Sequence, residues 1–388
     1  MPGWLYLMGA LTAIGPFSID MYLPAFPTIA AGLDVSRGEV ERTLAAYLIG
    51  LAVSQIFYGP LADRYGRRVP LMLGLTLYIV AALGCALSPN IESLTFWRFV
   101  QAVGGAAGIV IPRAVIRDHY DTQQSARALS MLMLIMGLAP ILAPLIGGQL
   151  LIFTGWRAMF WVMMLIGAAL LLCVIFIMRE SLHPDRVVPL RVSTILSNYA
   201  GLLKHRRFMF HSLAGGFGQA GMFAYIIGSP RIFIEIYGVA PQHYGFLFGL
   251  NALALIVGSQ VSARLLRNRT PATLQRGAQH VLLVAALVAL GIALSGQMTL
   301  VTLMICLMGY MASQGFVNPN SAALALNEQG ARLGAASALL GTLQLTSGAI
   351  AGLVMSAWQA ESALPLTTAL ATCAALSWLA GRRARRES

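Results

Sequence analysis

The chain has 388 residues, of which 58% are hydrophobic and 10% charged. An ordinary soluble domain carries about 25% charged residues, and a soluble chain this apolar would not cover its own surface. The length would suit two or three soluble domains, but the composition, with a mean hydropathy of +0.74, predicts a polytopic membrane protein. The net charge of +12, carried on 26 basic residues that are all arginine except Lys204, then bears on loop topology, and no nucleic-acid partner is expected.

A helix needs roughly 20 apolar residues to cross the hydrocarbon core. Runs of that kind fall at 4–31, 41–62, 69–88, 93–117, 126–150, 157–178, 208–230, 242–265, 277–296, 299–322, 333–358 and 362–381. The first is too long for a cleavable signal peptide and lacks its basic flank. Cys85, Cys173, Cys306 and Cys373 sit in apolar runs without CxxC spacing and are read as packing residues, with neither a disulfide framework nor a metal site.

Twelve spans put both termini on one side. Twenty of the basic residues lie in the loops of that side, four (Arg37, Arg42, Arg157 and Arg231) lie opposite, and Arg98 and Arg113 fall inside the fourth run. The bias predicts cytoplasmic termini. The longest polar stretch, Arg179 to Arg207, divides the chain. The predicted organisation is an N-terminal six-helix bundle over 1–178, a cytoplasmic linker over 179–207, and a C-terminal six-helix bundle over 208–388. The last ends in a basic cytoplasmic tail, Arg382-Arg383-Ala384-Arg385-Arg386, suited to anionic lipid. Two similar bundles with a site between them is the organisation of a transporter. A membrane enzyme would need clustered His, Asp or Glu ligands, and the six histidines lie at or near loop ends; no enzymatic activity is expected. No GxxxxGK[ST] loop occurs, so ATP drive is not expected either, and no cofactor is implied.

Between the second and third runs lies Gly59-Pro60-Leu61-Ala62-Asp63-Arg64-Tyr65-Gly66-Arg67-Arg68. This resembles the loop signature of the major facilitator superfamily, GxLaDrxGRr. The resemblance implies a latch between the two halves on the cytoplasmic side. Physically, Asp63 suits the positive end of a helix in the other half, and the eleventh run, opening near Gly334-Ala335-Ala336, is the expected partner. Arg67 is expected to pair with Asp118 while Gly66 lets the turn close. The matching loop of the second half, Gly258 to Arg269, has arginines and no acid.

In the fifth run, Gly137, Pro140, Pro144, Gly147 and Gly148 belong to a segment, Gly137 to Gly148, that resembles the superfamily's antiporter motif, with Ala143-Pro144 at the usual Gly-Pro step. The prolines bend a helix and the glycines admit a close neighbour. A kinked packing helix without a functional role is the alternative. Ser18-Ile19-Asp20-Met21-Tyr22-Leu23-Pro24-Ala25 in the first run and Arg98-Phe99-Val100-Gln101 in the fourth complete a resemblance to the Bcr/CflA drug:proton antiporters, named for bicyclomycin and chloramphenicol resistance. It is dense from Gly15 to Trp161 and thins beyond. It implies an all-α polytopic membrane protein of twelve transmembrane helices that exports small drug-like molecules against protons. Multidrug efflux, antibiotic resistance, a multi-pass monomer and a bacterial inner (cytoplasmic) membrane location are implied with it. An exporter of a single metabolite such as an amino acid or dipeptide, and a non-transporting membrane sensor or enzyme, stand as alternatives.

Asp20 reads as the only acid well inside the apolar slab. A charge at the bilayer centre costs about 2.5–3.5 kcal/mol on insertion scales, and such a residue is a functional candidate whose partner must be named. Arg98 is that partner. Asp20 lies about 24 Å along its helix and Arg98 about 30 Å along an oppositely directed one, so their depths match. Burial favours the neutral acid and a nearby arginine the ionised one, the balance a proton carrier needs. A permanent Asp20–Arg98 ion pair, and an Arg98 that only positions its helix, are the other readings. Arg113 reads as a residue that snorkels to the inner interface.

The second half offers Gln219, Asn251, Asn318, Asn320 and Gln344, suited to hydrogen bonding in a largely apolar pocket or to joining helices. Gln101, with Phe17, Tyr22, Tyr47, Phe217, Met222, Phe223 and Tyr225, completes the expected lining of a cavity for apolar ligands. Arg231 and Glu235 are expected to form an external gate or a plain interface pair rather than to meet substrate.

Overall fold

A computed structural model describes residues 3–183, 192–327, 329–358 and 361–386. Arg186 and Arg191 of the predicted linker lie outside the described residues. The described chain is α-helical: α1 (Gly3–Asp20), α2 (Phe26–Leu33), α3 (Arg37–Tyr65), α4 (Arg68–Ala86), α5 (Ile91–His119), α6 (Thr122–Thr154), α7 (Arg157–Ile177), α8 (Val192–Lys204), α9 (Arg206–Pro230), α10 (Pro241–Leu265), α11 (Pro271–Leu294), α12 (Leu300–Leu326), α13 (Leu333–Ala357) and α14 (Leu364–Ala384). A 3₁₀ turn (Leu23–Ala25) joins α1 to α2, and a π turn (Arg231–Ile236) extends α9. The twelve predicted runs match α1–α2, α3 to α7 and α9 to α14. The largest error is six residues, at the start of α11.

The helices begin where short polar side chains satisfy their first N–H groups. Ser36 and Glu39 form a reciprocal capping box at α3. Asn90 accepts from Ser93 N–H at 2.9 Å at α5, and Asp121 from Gln124 N–H at 2.8 Å at α6. Among the described residues, ten helices are long and apolar enough to span a membrane. The two other long ones, α1 and α9, open the corresponding halves of the chain and are the ones prolonged by irregular turns. Irregular backbone at membrane depth is tolerated only where protein covers it. The 3₁₀ turn is buried at all three of its residues, and Ile232 and Phe233 of the π turn are buried.

Helices α1 to α7 pack mainly on one another, and so do α9 to α14. The seam between the two sets runs chiefly along α3 against α13 and α6 against α10. Glycines set the closest approaches: a side chain at Gly104 on α5 would meet the Gly74 carbonyl and the backbone of Tyr78 on α4. The outside of the assembly carries Leu73, Phe153, Phe176, Leu294, Val301 and Ile305, all more than half exposed. That apolar coat suits lipid, where helix packing relies on close van der Waals fit rather than on water exclusion.

The amphipathic α8 lies against α9 and α13. Its Leu202 is buried with Phe208, Ala336, Leu339 and Leu340, and the Tyr199 hydroxyl donates to the Ile56 carbonyl of α3 at 3.4 Å. The linker between the halves is therefore partly a docked helix that touches both.

Candidate functional site

Asp20 is the last residue of α1, and the chain leaves helical geometry immediately after it. Pro24 and Pro27 have no N–H to donate, which removes helical bonds in the second half of this span. Asp20 is 3% exposed, and no hydrogen bond reaches it among the described residues. The 3₁₀ turn that follows it packs on α6, α9 and α10, so the end of α1 meets both helix sets. The antiporter-like segment packs on this break: a side chain at Gly147 of α6 would collide with the Met21 carbonyl. Gly148 faces the Pro241 carbonyl at the start of α10, and Gly137 faces Ile256 further along it. Helix α6 runs unbroken through Pro140 and Pro144.

Arg98 has no solvent exposure, and it does not pair with Asp20. The expected ion pair is absent: no acid comes within 4.0 Å of Arg98 among the described residues. Its Nη1 donates to Gln101 Oε1 at 2.8 Å and its Nη2 to the Ser18 carbonyl at 3.1 Å. Its guanidinium lies 4.6 Å from the Tyr22 ring centre and 4.3 Å from that of Tyr47. Planar, weakly hydrated guanidinium suits such stacking, and a desolvated cation over an aromatic face gains about 2 kcal/mol. Arg98 therefore holds the last turn of α1 by its backbone, two residues before the carboxyl.

That arrangement also occupies three residues expected to meet substrate. Tyr22 and Tyr47 form the cage, with the Tyr22 hydroxyl bonded to Thr43, and Gln101 is taken by Arg98. Phe17 is half-buried and packed on the core. In the C-terminal set, Asn251 Nδ2 donates to Tyr225 at 3.1 Å while its Oδ1 has no partner. Tyr225 stacks on Phe248 with centroids 5.5 Å apart. Gln344 donates to Asn318 Oδ1 at 2.8 Å, Phe223 packs on Gly348, and Gln219 keeps an unpartnered Oε1. Asn320 joins helices, donating to Ser262 at 2.9 Å. Gln314 on α12 was not singled out in the sequence, although both of its polar atoms are buried without partners beside Gly218.

At the termini end, Arg67 donates from Nε to Asp118 at 2.9 Å and from Nη1 to Asp63 at 2.5 Å. Gly66 adopts φ +85°, where a side chain would be strained and would strike Glu180. The expected reach of Asp63 to α13 is not present. Its carboxylate is turned to Arg67, and the Gly334 Cβ position has open space around it, as does that of Gly59. Arg64 is exposed, and Arg68 donates to the Ile175 carbonyl at 2.6 Å. Glu180, unmarked in the sequence, accepts from the backbone N–H of Arg67 at 2.8 Å and of Arg68 at 3.1 Å, closing the start of α4 from the far end of α7. Burial opposes its ionisation, but bonds from the backbone of Arg67, Leu182, Arg68 and Ser181 outweigh that and hold its carboxyl below the usual range.

At the opposite end, Arg37 of α3 meets Glu235 of the π turn at 2.6 Å, so Glu235 pairs across the seam. Beside them is Glu41, 2% exposed. The sequence did not single it out: α3 begins at Arg37, which places Glu41 one turn inside the helix end, buried by protein and not by depth in the apolar run.

Two packed sets of membrane-length helices are the architecture of a polytopic membrane transporter. The chain belongs to the Major Facilitator Superfamily, whose family description matches residues 8–383. It is 39% identical to the MFS-type transporter YdgK of Bacillus subtilis over 350 residues, 89% of this chain and 86% of that protein. It is 31% identical to the bicyclomycin resistance protein homolog of Haemophilus influenzae, covering 97% and 94%. It is 29% identical to the multidrug resistance protein MdtL of Escherichia coli, covering 90% and 87%. The fold is that of solved superfamily members. A bacterial homolog of the lysosomal transporter Spinster, inward-facing, superposes with a TM-score of 0.74 at 17% identity over 100% of this chain and 99% of that one. The D-xylose-proton symporter gives 0.73 at 13%, over 98% and 97%.

Proposed function

We propose that this transporter exports small drug-like compounds in exchange for protons. Two six-helix bundles, 1–178 and 208–388, would rock about a site between them, with both termini in the cytoplasm. The resistance proteins among its relatives support the substrate class. The observation that carries the coupling is Asp20: a carboxyl with 3% exposure and no hydrogen bond among the described residues, at a break in α1 that both helix sets face. Leaving an ionised group there costs several kcal/mol, so proton binding and release at Asp20 accompany any change in its solvation. Arg98 positions the break through the Ser18 carbonyl. Gln219, Gln314 and the free oxygen of Asn251 supply neutral hydrogen bonds for ligand.

The test is Asp20→Asn in cells exposed to a panel of toxic compounds, with and without a protonophore. The wild-type chain confers protonophore-sensitive tolerance and the variant does not, at equal membrane abundance. Unchanged proton-driven efflux in the variant removes Asp20 from the mechanism. Proton entry down a 100 mV potential supplies about 2.3 kcal/mol per charge. That sustains roughly fifty-fold accumulation of a neutral compound.

A further inference from the structure

We propose that Glu41 is a second proton-binding site, and that its protonation is what allows the two helix sets to close on each other at the end opposite the termini. Glu41 lies in a small cavity with Phe26, Arg37, Arg231 and Glu235. Arg37 and Glu41 come from α3, and Arg231 and Glu235 from the π turn after α9, so the cluster spans the seam. The Arg37–Glu235 ion pair fastens this cluster across the seam, yet the Arg37 side chain is 49% exposed, and an exposed pair of this kind contributes at most about 1 kcal/mol. Glu41 differs because it is buried, with its Oε2 lacking any hydrogen-bond partner among the described residues.

Around Glu41 stand two arginines and one glutamate, which leave one positive charge. The π turn presents one arginine and one glutamate, and Arg37 on its own helix is committed to Glu235. The turn at 23–25 and α2 add only Phe26 to the cavity. Asp34 after α2, His243 on α10 and Glu361 between α13 and α14 are exposed. That residual positive charge favours the ionised carboxyl, but Glu41 is 2% exposed with its Oε2 unpartnered among the described residues, and desolvation, the larger effect, favours the neutral carboxyl in the closed arrangement. Once the halves part, the same carboxyl meets water and ionises as an ordinary glutamate. The closed form thus binds the proton more tightly, so linkage requires acid to favour closure and alkali to favour opening. In an exporter driven by external protons, this makes the closing step wait for a proton. Only that physiological direction rests on the export reading.

The experiment reads conformation rather than transport, so its failure is distinct from failure of the export reading. The four native cysteines are replaced and Asp20→Asn is introduced, removing titration at that acid. Spin labels are placed at Ala31→Cys and His243→Cys, on exposed positions of the two helix sets. Distances between them are measured in lipid vesicles across a pH series. The expected result is a closed-to-open ratio that falls with rising pH, by as much as tenfold per pH unit for one proton. Adding Glu41→Gln, which mimics the neutral acid, holds the ratio at its acid-side value throughout. Adding Glu235→Gln leaves the titration in place. A ratio indifferent to pH without Glu41→Gln, a titration that survives Glu41→Gln, or one abolished by Glu235→Gln each overturns the proposal; the first and third need no folded Glu41 variant.

Discussion

Two buried charges in the N-terminal set are handled in opposite ways. Arg98 is held at both Nη atoms by a carbonyl and an amide oxygen and lies over two aromatic faces, with only its Nε unpartnered among the described residues, whereas the Asp20 carboxyl is left without a bond. A buried cation held in this way is structural, and removing it leaves its cage and the Ser18 carbonyl unmatched. Arg98→Ala should lower stability by on the order of 3 kcal/mol, read as a fall in melting temperature of the detergent-solubilised protein. Arg98→Lys should recover only part of it, because a lysine cannot fill the planar slot. At the cytoplasm-facing end proposed here, Glu180 makes a prediction with a sign. Its carboxyl is held below the ordinary range, so its contribution is present above the unfolded-state value near 4.3 and is lost as pH falls through the lowered one. Glu180→Gln should cost about 1 kcal/mol at neutral pH, and the gap from wild type should shrink in acid. A constant gap across the pH range would assign the loss to packing instead.

At the scale of elements, the break after α1 and the glycines of α6 form one device. Gly147 lies against Met21, the residue following Asp20, and Gly148 lies against the entrance of α10. Any side chain at 147 must push on the Met21 carbonyl and so on the carboxyl beside it. Gly147→Val is expected to abolish proton-driven efflux. Gly137→Ala, which meets only Ile256 at 3.2 Å, should leave efflux within about threefold of wild type, since a flexible side chain relaxes for about 1 kcal/mol. Equal losses in the two variants would mean that α6 acts only as a packing helix. The motif was legible as a pattern, but its contact with the Asp20 break was not, because the two segments are more than a hundred residues apart in sequence.

On the scale of the whole molecule, the two helix sets meet along a seam built from α3 with α13 and α6 with α10. Along α3 it is extensive and mostly apolar: the Thr342 hydroxyl reaches the Ala52 carbonyl at 3.1 Å, and Gly352 lies against Ala45. Few directional bonds would have to break for the halves to rock, which fits an alternating opening. The exposed Arg37–Glu235 pair is a minor fastening. Arg37→Ala should therefore cost no more than about 1 kcal/mol and leave drug tolerance within roughly fivefold of wild type. A complete loss of export in Arg37→Ala would show that this pair, and not the buried Glu41 beside it, governs the outer end.

The sequence by itself determined the membrane class, the twelve runs to within six residues at their ends, the Arg67–Asp118 pairing and the placing of Asp20 in an apolar run. Each of these follows from local composition, helical rise or a contiguous motif, which are properties of neighbouring residues. Only the tertiary structure decided which partners Arg98 takes, since Tyr22 from the turn after α1, Tyr47 from α3 and Gln101 from its own helix converge on it. Only it revealed Glu41 and Glu180. Glu41 stood at the edge of an apolar run, where a charge is cheap, until the π turn of a distant helix covered it. Glu180 looked like one loop charge among many until the chain folded it onto the first N–H groups of α4. Burial and bonding of a charge depend on what comes to rest beside it, and that depends on contacts between residues far apart along the chain.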